Sequence, residues 1–157
     1  MRYLRSIVAL ALAGGALVVA CDDDPVTPPE ITTFTAALNG ANESPAVTTS
    51  AVGTATFDVL PGNIITYRVD VTGIDSAFAS HIHLGAAGVN GPILVTLYGS
   101  AGTPIGFSGT LASGTAGAPT GMTLDSLLVL MKNGGVYVNV HTRANGAGAI
   151  RGQVAPR

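Results

Sequence analysis

The sequence predicts an all-β fold, an antiparallel Greek-key-like β-sandwich or flattened barrel of about eight strands with one short helix. Three observations carry this. From Ile31 onward apolar and polar residues alternate with a period of two, the signature of half-buried strands. The runs are short and separated by Gly, Pro, Asn and Ser. One segment, near 123–132, has a helical period instead.

Phe34, Ala36 and Leu38 line one side of the first run. In the second, Gly53, Ala55, Phe57 and Val59 alternate with Thr54, Thr56 and Asp58; in the third, Ile65, Tyr67, Val69 and Val71 alternate with Thr66, Arg68, Asp70 and Thr72. Leu60-Pro61-Gly62-Asn63 between them reads as a hairpin turn, because Pro presets the first corner and Gly or Asn accepts a positive φ. Further strands are expected at 77–84, 92–99, 105–111, 135–142 and 148–154, with glycine-rich loops at 99–106 and 112–121. Leu124, Leu127, Leu128 and Met131 stand at i, i+3, i+4 and i+7, behind Thr123 as N-cap and before the stop Asn133-Gly134-Gly135.

The chain has 157 residues and a formal charge of −2. Arg2 and Arg5 precede an apolar run, Ile7 to Ala20, too short to span a membrane comfortably, so residues 1–20 read as a signal peptide. Val18-Val19-Ala20-Cys21 resembles the bacterial lipobox, which implies cleavage before Cys21 and its lipidation. Residues 21–30, acidic and proline-rich, read as a tether lifting a domain at 31–157 off the lipid surface. The expected location is the cell envelope, anchored to the membrane and exposed outside the cytoplasm. Cys21 is the sole cysteine, which excludes a disulfide or a thiolate cluster within one molecule. Removing residues 1–20 leaves 137 residues with five basic and nine acidic side chains, a charge of −4 that offers nothing to nucleic acid.

Four motifs in order, Leu38-Asn39-Gly40-Ala41-Asn42-Glu43-Ser44-Pro45, Gly53-Thr54-Ala55-Thr56-Phe57, His81-Ile82-His83-Leu84-Gly85 with Asn90-Gly91-Pro92-Ile93, and Tyr137-Val138-Asn139-Val140-His141-Thr142 with Gly148 to Val154, resemble the CHRD domain. The resemblance spans residues 32 to 154. That family was named for an animal extracellular antagonist of growth factors and also occurs in microbial exported proteins. It implies a module and not a reaction.

The strand period places His81 and His83 on one face, about 6–7 Å apart at the backbone. Ile82, with Phe78 and Leu84 at the same parity, is expected to face the core. Tyr137, Asn139 and His141 are expected on the outer face of the late strand, opposite Val136, Val138 and Val140. If the two strands are neighbours, His81, His83 and His141 converge, a nitrogen set suited to copper or zinc with one position open. This pattern is also similar to the copper half of Cu/Zn superoxide dismutase, a likeness in which Arg151 matches the anion-guiding arginine. No fourth histidine is present to bridge a second metal. Glu43, Tyr137, Asn139 and Arg151 are the candidates to orient the imidazoles or contact a ligand. The alternative is a polar network in which these same groups fix strand register. No nucleophile and base can be paired from the sequence. The first expectation is a non-enzymatic module that binds a protein or glycan partner or serves structurally; the second is a mononuclear copper or zinc site.

Overall fold

A computed structural model describes residues 32–157. Residues 1–31, with the expected signal peptide, Cys21 and tether, lie outside the described residues. Among those described, no helix is long and apolar enough to cross a membrane.

The strands are β1 (Thr32–Asn39), β2 (Val52–Leu60), β3 (Ile64–Ile74), β4 (Ala77–Leu84), β5 (Ile93–Gly99), β6 (Phe107–Thr115), β7 (Val136–Thr142), β8 (Ile150–Gln153) and the two-residue β9 (Ala155–Pro156). All pairs are antiparallel, in the order β5-β4-β7-β8-β1-β2-β3-β6, with β9 added to β1. The sheet curls into a nearly closed, flattened barrel. Its free edges, β5 and β6, approach each other, and the Tyr67 hydroxyl on β3 donates to Leu97 O on β5 at 2.7 Å across the seam. The β2–β3 turn has φ of 81° at Gly62 and 58° at Asn63, the left-handed region those residues tolerate best.

The helix α1 (Leu124–Lys132) packs Leu127 and Met131 into the core without exposure. Thr123 Oγ1 accepts from Ser126 N at 3.2 Å, which satisfies one of the free amides of the first turn. The N–H of Gly135 returns to Leu130 O at 2.8 Å and ends the helix.

Phe34, Phe57, Val69, Ile82, Val138, Val140 and Ile150 share one core and none is exposed. Ser80 also points inward; its hydroxyl is made compatible with that position by donating to Asn139 O at 2.8 Å.

Two expectations are corrected. Residues 112–115, expected as loop, complete β6 and pair with Thr66 to Val69 of β3. Their small side chains give no period to read, but the ladder needs only backbone, and Gly114 lies under the Tyr67 ring. Phe78, expected to face the core with Ile82, is half-buried with its ring 6.2 Å from that of His141. The register of β4 against β7 shifts between Ala77 and Ala79, and this bulge turns Phe78 to the outer side.

Candidate metal centre

Strand order brings the three histidines together. β4 lies beside β7, with Ala79 opposite His141, His81 opposite Asn139 and His83 opposite Tyr137. Their side chains share the outer face, and one ring nitrogen from each lies within 4.8 Å of the others. His81 Nδ1 and His141 Nε2 are 3.0 Å apart.

The hydrogen bonds fix which nitrogens converge. His83 Nδ1 donates to Gly91 O at 2.9 Å and His141 Nδ1 donates to Gly146 O at 3.0 Å. Each ring is thereby held as the Nδ1–H tautomer with Nε2 bare. His141 Nε2 accepts from His81 Nδ1, whereas the buried His83 Nε2 has no partner. A metal would replace the proton shared by His81 and His141, which moves to the His81 outer nitrogen. Bonds of about 2.0–2.1 Å hold nitrogens within about 4 Å of each other, so the widest pair must close by about 1 Å.

Burial keeps all three rings neutral, the form a metal requires. The pKa of His81 is pulled down to about 4, first by desolvation and then by the neighbouring imidazoles. His83 and His141 are also lowered by burial, against the opposing pull of the carbonyls of Gly91 and Gly146.

The family model for the CHRD domain matches residues 34–154. The chain belongs to the CHRD domain family. No curated protein and no solved structure matches it.

In this CHRD domain Tyr137 and Asn139 share the outer face of β7 with His141. Tyr137 does not accept from a histidine; it stacks on the His83 ring at 5.0 Å and 8°. Arg151 comes from β8, the strand on the other side of β7, and its Cζ lies 3.3 Å from the Tyr137 ring centroid. Its guanidinium donates to Asn90 Oδ1, Ala86 O and Val89 O at 2.8 to 3.1 Å, and the residue is 1% exposed. Arg151 therefore does not face an open coordination position. It fastens the 86–91 loop over Tyr137, and that loop supplies the Gly91 carbonyl. Asn139 lies between His81 and Arg151 in register, and its Oδ1 is buried without a partner. Glu43 stands beyond Asn139, on the turn after β1.

Sequence reasoning misses the groups that hold the rings, Gly91 O and Gly146 O. Carbonyl direction leaves no trace in residue type. The available signal is the glycines: a β-carbon at Gly91 would strike the Leu84 carbonyl, so only glycine lets this loop close on β4.

Proposed function

We propose that this CHRD domain is a metal-binding module in which His81 Nδ1, His83 Nε2 and His141 Nε2 hold one copper or zinc ion. The observation that carries the reading is the convergence of three ring nitrogens to within 4.8 Å while backbone carbonyls hold the far nitrogens of two of the rings. Imidazole suits both metals, and copper(II) binds a given nitrogen set more tightly than zinc. His81 is half-buried, which leaves a side of the cluster accessible to an added ligand. Two facts support binding over catalysis: among the described residues no nucleophile is hydrogen-bonded to the rings, and the buried Arg151 is engaged with the loop. The module is proposed to sit outside the cytoplasm, held to the membrane through a lipid on Cys21.

A second reading, recognition of a protein or glycan at the same edge, is favoured by Val89 and Ile93, which are exposed beside Gly91. Elemental analysis after copper or zinc loading separates the two. The metal reading expects one equivalent, lost in His81→Ala and in His141→Ala. Retention of no metal by a folded wild-type protein would leave the partner-binding reading standing. For the anchor, Cys21→Ser is expected to abolish fatty-acid labelling and correct processing; a labelled, processed Cys21→Ser protein would overturn it.

A further inference from the structure

Glu43 sits where a carboxylate is costly. It is 9% exposed, and its Oε1 has no hydrogen-bond partner among the described residues. The fold nevertheless makes room for it. Residue 148 is a glycine with a φ of 141°, and a β-carbon there would overlap Glu43 Oε1 and come within 2.8 Å of Asn139 Nδ2. The absent side chain leaves room for carboxyl and amide beside one α-carbon; no hydrogen bond joins them as they stand, and Asn139 Nδ2 donates at long range, 3.5 Å, to Ala147 O.

The other end of that amide, Asn139 Oδ1, is also unpartnered, and with His83 opposite Tyr137 in register, Asn139 is the diagonal cross-strand neighbour of His83. With Nδ1–H committed to Gly91 O, His83 Nε2 is a bare acceptor, and so is Oδ1. Three acceptors on this side of the sheet, Glu43 Oε1, Asn139 Oδ1 and His83 Nε2, are thus each buried and each without a donor. A proton at one end or a cation at the other relieves the arrangement.

We infer that Glu43 is a positioning residue for the histidine cluster, acting through the Asn139 amide. This rests on the metal reading for its ligand. With Glu43 ionised, Nδ2 turns to the carboxylate and Oδ1 to His83, which leaves Nε2 open to the ion. With Glu43 protonated, the amide turns over, Oδ1 accepts from the carboxyl O–H, and Nδ2 donates to His83 Nε2 and closes it. The terminal amide torsion is roughly two-fold, so both orientations fill the same space. No bond is made or broken beyond the carboxyl proton, which leaves to solvent when the metal enters.

The groups around Glu43 allow the changeover near neutrality. Arg151 of β8 pulls its pKa down, but burial outweighs this and raises it to about 7. His141 on β7 and His81 and His83 on β4 are held neutral by burial, Tyr137 is the other titratable side chain on that face of β7, and loops 86–91 and 144–148 carry no titratable side chain. A bound dication attracts the carboxylate and acts in the same direction. Coupling is reciprocal, so metal lowers the proton affinity of Glu43 as much as the proton lowers metal affinity.

The test uses zinc, which is redox-silent, in chelator competition from pH 6 to 8.5 on the full-length protein. The wild type is expected to lose about tenfold in apparent zinc affinity per pH unit below the Glu43 midpoint, while Glu43→Gln is expected to lose that slope. The histidines, held below their usual range, add little to it. In the metal-free protein, the Asn139 side-chain amide and His83 Nε2 nitrogen resonances should follow the Glu43 carboxyl titration in the wild type and stay fixed in Glu43→Gln. A wild-type pH slope in Glu43→Gln, or resonances that ignore Glu43, would overturn the inference. If zinc binds at no pH, the metal reading fails, and the metal-free resonances alone decide whether Glu43 reaches His83.

Discussion

Along β7, Val136, Val138 and Val140 point into the barrel and Tyr137, Asn139 and His141 point out of it, and all six are buried. The inner three face the apolar core, with Ser80 opposite Val140 as a hydrogen-bonded polar neighbour, so their burial is favourable wherever the packing is good. The outer three are covered by loops, and each polar atom there needs a named partner or remains a cost. On the inner face the apolar neighbours are interchangeable with other hydrocarbons of similar shape. On the outer face the partners are particular carbonyls, and among the described residues the four buried side-chain atoms left without one are His83 Nε2, Asn139 Oδ1, Glu43 Oε1 and Gln153 Oε1. Burial by itself does not mark a core; the unpaired acceptors mark where the molecule can still bind something.

The largest expected effect breaks the inner face. Phe57→Ala should cost about 3–5 kcal/mol in denaturant unfolding, because an unexposed ring is replaced by a cavity. On the outer face, Arg151→Met should cost roughly 3 kcal/mol, since two carbonyls and the Asn90 oxygen lose their donor. Unlike the Phe57 variant, it should also loosen the 86–91 loop, seen as faster hydrogen exchange at Val89 and Gly91 than elsewhere in the sheet. Equal protection throughout would show that the loop does not depend on the guanidinium.

A smaller effect is expected in the pH dependence of metal-free stability, where the outer face contributes two opposing trends. The histidines are depressed in the fold, so the unfolded chain binds more protons as pH falls from about 6.5 towards 4, and stability drops on acidification. Glu43 is raised to about 7, so the folded chain binds the extra proton between its ordinary value of 4.5 and that value, and stability drops as pH rises through this window. Glu43→Gln removes only the second trend. Its stability should therefore climb more steeply between pH 4.5 and 6.5 than that of the wild type, as read from urea midpoints; parallel curves would mean that Glu43 is solvated.

The barrel was legible because its strands keep period two over long stretches, as in Gly53 to Val59, and because one helical stretch, Leu124 to Met131, interrupts them. The neighbourhood of β4 and β7 was the condition for the histidines to meet, and parity alone then put them on one face. What could not be read depends on single residues without a compositional sign. The bulge at Phe78 moves a ring from core to histidine edge, yet an inserted residue looks like any other in the sequence. Arg151 reads as a candidate to contact a ligand beside the histidines because only the fold reveals the carbonyls of Ala86 and Val89 more than 60 positions away in the chain. Glu43 beside Pro45 reads as a loop carboxylate until Gly148 shows the space left for it.

Loading the full-length protein with one equivalent of copper(II) and recording nitrogen couplings by electron paramagnetic resonance tests the three-histidine centre most directly. The account predicts a single copper species coordinated by imidazole nitrogens, with fewer couplings in His83→Ala and no comparable species in His81→Ala. A wild-type spectrum indistinguishable from that of copper in buffer, on a folded protein, would contradict it.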